Sequence, residues 1–117
     1  MKQLLLVICL LSAAPAFAVD CHINEYTRMV RDSTGNSIPV ASEPKVATQN
    51  VTFTTTAVAS ETFNESTTFV RIICTSKTFF EFGTAPVATI TDSYLAADTA
   101  EYFGCPQSGL KVSFIGP

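Results

Sequence analysis

Four cysteines and one histidine are the residues of this chain whose chemistry depends most on their surroundings: Cys9, Cys21, Cys74, Cys105 and His22. Thiols can pair, ligate a metal or attack a carbonyl, and each use demands its own spacing. Zinc ligation by Cys21, His22, Cys74 and Cys105 lacks the C-x-x-C or H-x-x-x-H spacing that gathers four ligands round one ion. Hydrolysis would require His22 to meet a cysteine and a carboxylate in one cleft, and no motif supports that meeting. His22 therefore reads as a solvated histidine close to a chain end. The carboxylates, from Glu25 and Asp32 to Asp98 and Glu101, are dispersed, so most read as solvated faces of strands and turns. No catalytic, cofactor-binding or metal-binding set emerges. The chemistry left to the cysteines is oxidation.

Oxidation depends on compartment, and the chain start bears on that. Met1-Lys2 is a short positive start, Leu4 to Leu11 is an unbroken apolar run, and Ala16-Phe17-Ala18 after Pro15 is a small-x-small cleavage pattern. Residues 1–18 thus form a signal-peptide-like segment, expected to be cleaved or, alternatively, retained as an arm. Its apolar run is short against the roughly 20 residues that span a bilayer, so any membrane contact would come through residues 1–18 alone. Cleavage removes Cys9 and leaves Cys21, Cys74 and Cys105 as disulfide candidates, which means one pair and one spare thiol. Spacing does not rank the three pairs. Cys105 lies in a Gly-Cys-Pro loop, a natural place for a link between subunits, while Cys74 reads also as a small buried hydrophobe.

The elements that must position these residues read as strands. With 117 residues, 47% hydrophobic and 15% charged, the chain is a single folded unit, and disorder of the whole is excluded. A net charge of −3 with scattered Lys and Arg offers no basic face for nucleic acid. Threonine and phenylalanine are abundant, which favours strands. Ile23 to Val30, the turn Asp32 to Asn36, and Ile38 to Val40 suggest a first hairpin. Pro39 and Pro44 restrict residues 39–46 to an edge or connector. Gln49 to Ala57 alternates apolar and polar, as a half-buried strand does. Phe69 to Cys74 and Phe79 to Phe82, joined by Thr75-Ser76-Lys77, suggest a central hairpin in which Glu81 guards an edge or faces Arg71. Val87 to Tyr94, Glu101 to Phe103 and Leu110 to Phe114 complete the set, with loops at 95–98 and 104–109. The expectation is all-β: a single small antiparallel β-sandwich or barrel of about six to eight short strands over residues 19–117.

Several stretches together resemble small structural proteins of tailed bacteriophages. They are Glu25-Tyr26, Asp32 to Pro39, Glu43-Pro44, Thr48 to Thr54, Phe69-Val70-Arg71, Phe82 to Thr89, Glu101 to Gly104 and Gly109 to Val112. The resemblance implies a non-enzymatic β-sandwich located in the virion, a capsid-decoration or other minor component. It would bind major capsid or tail proteins and copies of itself as a homo-oligomer. It also implies cysteines that oxidise after lysis to staple neighbours, and an N-terminal arm packed on another subunit. The apolar leader favours an alternative, a secreted or periplasmic binding or adhesion domain.

Overall fold

The computed structural model describes residues 17–117, so the signal-peptide-like segment lies, up to residue 16, outside the described residues. The chain is all-β and antiparallel throughout. Its strands are β1 (Val19–Tyr26), β2 (Met29–Arg31), β3 (Ser37–Ala41), β4 (Ala47–Phe53), β5 (Val58–Ala59), β6 (Phe69–Cys74), β7 (Thr78–Gly83), β8 (Ser93–Leu95), β9 (Glu101–Gly104) and β10 (Lys111–Ile115). One sheet has the order β4-β1-β6-β9, a second the order β5-β10-β7-β8, and β2-β3 forms a separate ribbon. Among the described residues this is a small antiparallel β-sandwich, with β5 and β8 only two and three residues long.

Alternation along β1 sets the first sheet. Val19, Cys21, Ile23 and Glu25 are buried, while His22 between them is exposed. Across the strands, Cys21 sits between Val51 and Cys74, and Ile23 between Gln49 and Ile72. The second sheet answers with Val112 and Phe114, both fully buried. Phe114 stacks on Phe53 of the first sheet at 5.6 Å between centroids, and Phe103 meets Phe80 and Phe82 at 5.0 and 5.2 Å. Aromatic pairs of this kind contribute roughly 1 kcal/mol each beyond the area they bury.

Four expectations need correction. β6 and β7 do not form a hairpin: β6 pairs with β1 and β9, and β7 with β10 and β8. Residues 75–77 carry the chain across the core instead of back beside itself. A hairpin would place Ile72, Phe80 and Phe82 on one face, with no second layer to cover them; the crossing puts Phe80 and Phe82 opposite the first sheet. Arg71 consequently faces Asn24 and Tyr102, and Glu81 faces Ser113, so these two charges do not meet. The fourth strand ends at Phe53, because Thr54 to Thr56 bend toward the second sheet, where Thr54 O accepts from Gly116 N. A Cβ on Gly116 would lie 2.7 Å from that carbonyl oxygen, so this close approach requires glycine. Val87 to Tyr94 is not a strand either. Residues 84–92 fold as a loop held by Ala88 N donating to the buried Ser113 Oγ, and only β8 pairs, with Leu95 fully buried inside it.

The Cys21–Cys74 bond spans a sequence separation of 53. Loop-closure entropy for a loop of this length predicts that reduction lowers stability by about 4 kcal/mol. Urea unfolding with and without reductant checks it; unchanged midpoints would mean that the bond constrains nothing.

Candidate functional site

Cys21 and Cys74 face one another across β1 and β6 and are joined, with a Cα–Cα distance of 4.1 Å. Of the candidate readings for Cys74, the pair holds and the plain buried hydrophobe does not. Cys105 is a free thiol and is buried, not displayed on its loop as a link between subunits requires. The cause is distant in sequence: Cys105 N donates to Thr68 O, which tucks the residue in beside β6 and β9. Burial first, then the nearby Glu25 carboxylate, push its thiol up to about 11.

His22 stands on the opposite face of β1 from Cys21, exposed between Asn50 and Ile73, and in a central strand instead of a loose chain end. Of the residues considered for zinc or for hydrolysis, Cys21 and Cys74 are brought together, bonded to each other, and His22 lies on the other face. Among the described residues no group of three His, Cys, Asp or Glu is placed to hold a metal ion.

Glu25 is the residue most unlike its expected solvated position, being 1% exposed. Its Oε1 accepts from Asn64 N at 2.7 Å and Thr67 Oγ1 at 2.8 Å, and its Oε2 from Gln49 Nε2 at 3.3 Å. Hydrogen bonds to an ionised group are worth about 1.5–3 kcal/mol each, similar in total to the several kcal/mol that dehydrating a carboxylate costs. Glu25 therefore selects where residues 61–68 sit more than it adds stability. A sign of this was present in the sequence: Glu25 continues the alternation Val19, Cys21, Ile23, which places it inward.

An exposed apolar surface is formed by the β2–β3 ribbon. Its turn is pinned by Asp32, whose Oδ1 accepts from Thr34 N, Thr34 Oγ1 and Asn36 N. These bonds, the one from the Thr34 hydroxyl first, lower the carboxyl below its ordinary value. Gly35 takes φ 87, which a side chain would strain. Beyond that turn the ribbon is open to solvent: Met29 is 41% exposed, Val30 37%, Ile38 38% and Val40 55%. A groove of about 290 Å³ runs along β2, lined by Arg28, Met29, Val30, Arg31 and Ser42. At the ribbon base, Tyr26 stacks on Phe69 at 5.3 Å and its hydroxyl donates to Glu43. Burial foremost, with that bond, raises the phenol above its ordinary value.

A second exposed patch lies on the outer side of β7 and β8. There Lys77 Nζ lies 4.3 Å from the Tyr94 ring centroid and 5.3 Å from that of Phe79. Such a contact at an exposed site is worth roughly 0.5–1 kcal/mol, enough to order the lysine and no more. Comparison with protein-family models, curated proteins and solved structures finds no match to this chain.

The raised Cys105 thiol has two measurable effects. Its ionised fraction at pH 8 is about a hundred-fold below that of a free thiol, so alkylation by iodoacetamide is slow until the chain unfolds. The folded state also holds this proton where the unfolded chain has lost it, so stability falls as pH rises from about 9 to about 11. Tyr26 acts in the same direction above pH 10.0. Thermal midpoints over that range should fall less steeply for Cys105→Ala than for the native chain; equal slopes would contradict the assignment.

Proposed function

We propose that the chain is a non-enzymatic contact module that works by holding other protein subunits through its β2–β3 ribbon. The observation that carries this reading is the concentration of Met29, Val30, Ile38 and Val40, all exposed, on one ribbon outside the sandwich. A two-stranded ribbon adds little stability by itself, and clustered exposed apolar side chains mark contact surfaces. Covering these four would gain roughly 1 kcal/mol each, from the apolar area still open on them. That suits a contact which is weak singly and strong when repeated over many copies.

The resemblance to small structural proteins of tailed phages supplies the finer part of the proposal. The chain then decorates a capsid or serves as another minor virion component, and its partners are major capsid or tail proteins and further copies of itself. A specific observation favours a second reading, a secreted or periplasmic binding domain: the Cys21–Cys74 bond needs an oxidising compartment, and residues 1–18 have the form of an export signal.

Density-gradient fractionation of lysed source cells separates the two. Co-banding with phage particles in many copies per particle supports the virion reading. Recovery only as free protein from periplasm or medium, with a start at Val19, supports export and removes the virion role. If particles carry the chain, V30S/V40S lowers its occupancy at least ten-fold with the thermal midpoint unchanged, because both side chains are exposed in the free molecule. Unchanged occupancy would place the contact elsewhere.

A further inference from the structure

We infer that the ribbon is built to pair with the free sheet edge of a second copy of this chain: β2 of one molecule lies antiparallel beside β9 of the next, with Arg31 opposite Glu101 and Val30 opposite Tyr102. The inference rests on the contact-module reading and names a partner for it.

Both strands are edges. Among the described residues, β9 pairs with β6 on one side and ends its sheet on the other, and β2 pairs only with β3. An edge presents unpaired N–H and C=O groups that template a further strand, unless proline, lysine, a β-bulge or a covering loop blocks it; the β2–β3 ladder does shift register between Met29 and Arg31, on the side of β2 that faces β3. β9 contains neither proline nor lysine, and Glu101, Tyr102 and Gly104 are exposed. On the ribbon, β3 carries Pro39 and so lacks one donor, whereas β2 has all of its own. The open groove also runs along β2. The ladder lengths agree, three residues against four.

Charge and side-chain character choose the partner and its direction. The chain is net negative, yet arginines stand at both ends of β2, Arg28 just before it and Arg31 as its last residue. β9 opens with Glu101, three residues after Asp98. Antiparallel pairing brings the Arg31 end to this acidic end and sets Val30 against Tyr102, which is 54% exposed. Opposite charges and an aromatic beside a β-branched residue are the favourable cross-strand pairs. Pairing two ribbons through β2 in full overlap would instead set Arg31 against Met29 and Val30 against Val30, leaving the β9 edge and its Glu101 unused, and pairing two β9 edges would leave Glu101 without a cation. The β2–β9 contact joins different surfaces of the two molecules, so it propagates into a ring or a filament instead of closing as a pair. With so short a ladder it buries well under the roughly 800 Å² per partner of a standard interface, so in free solution it fills only at high concentration.

Sedimentation velocity on the disulfide-bonded chain, from micromolar to millimolar, tests this. Native protein should gain mass with concentration, R31E and E101R should each lose that gain, and R31E/E101R should recover it. Arg31 also donates to Gly35 O in the ribbon turn, so E101R, remote from the ribbon, is the cleaner single variant. A native chain that stays monomeric at millimolar concentration, or an E101R chain that assembles like the native one, overturns the inference. Neither result bears on attachment to particles, which the gradient experiment reads separately.

Discussion

A slip of one residue along β1 would turn Val19, Cys21, Ile23 and Glu25 to water and draw Asp20, His22 and Asn24 into the core. β1 is central in its sheet, bonded to β4 on one side and β6 on the other, so its register fixes both neighbours. Two different interactions hold that register. Near the start, the Cys21–Cys74 bond ties β1 covalently to β6. Near the end, the Glu25 carboxylate finds Gln49 on β4 and Asn64 and Thr67 on the following loop only when the strand is in place. Glu25 matters more through the cost of every wrong arrangement than through the gain of the right one.

The rest of the sandwich follows from that strand. With residues 61–68 held by Glu25, Phe63 enters the core and its N–H donates to Leu110 O beside the last strand. Ser60 and Val112 exchange two further bonds, Ser60 N to Val112 O and Val112 N to Ser60 Oγ. The second sheet is thereby located against the first. Among the described residues no buried side-chain polar atom lacks a partner, so the interior holds no vacant polar position that asks for a ligand. What the interior does not use is on the outside, and the ribbon between β1 and β4 carries a large share of it.

Much of this was legible in the sequence, for physical reasons that also explain the misses. The all-β class and the Asp32 to Asn36 turn follow from alternation and turn chemistry, which are local signals. The Asp32 carboxylate and Gly35 act within five residues of chain. Whether Phe69 to Cys74 and Phe79 to Phe82 pair or cross is a different matter. Both answers satisfy the same local pattern, and the choice is made by Phe103 and Phe114, which are distant in sequence. Cys105 was misplaced for a similar reason: a Gly-Cys-Pro loop signals exposure locally, while Thr68 and Glu25 bury it from elsewhere. Glu25 was missed too, read as one of the solvated carboxylates, although the period of two along β1 pointed it inward despite its charge. The exposure of the ribbon was not legible, because Met29, Val30, Ile38 and Val40 look like core residues until the sandwich is seen to close without them.

We propose that the core fixes the molecule and that the ribbon makes its contacts. Backbone amide exchange, measured on the dilute free chain and on the chain in its assembled or particle-bound state, tests this most directly. Amides of β1, β6 and β10 should be slowest in both states, and those of Met29 to Ala41 fast in the free chain and markedly slowed on assembly. Ribbon amides that exchange equally fast in both states, with protection gained on another face, would contradict it.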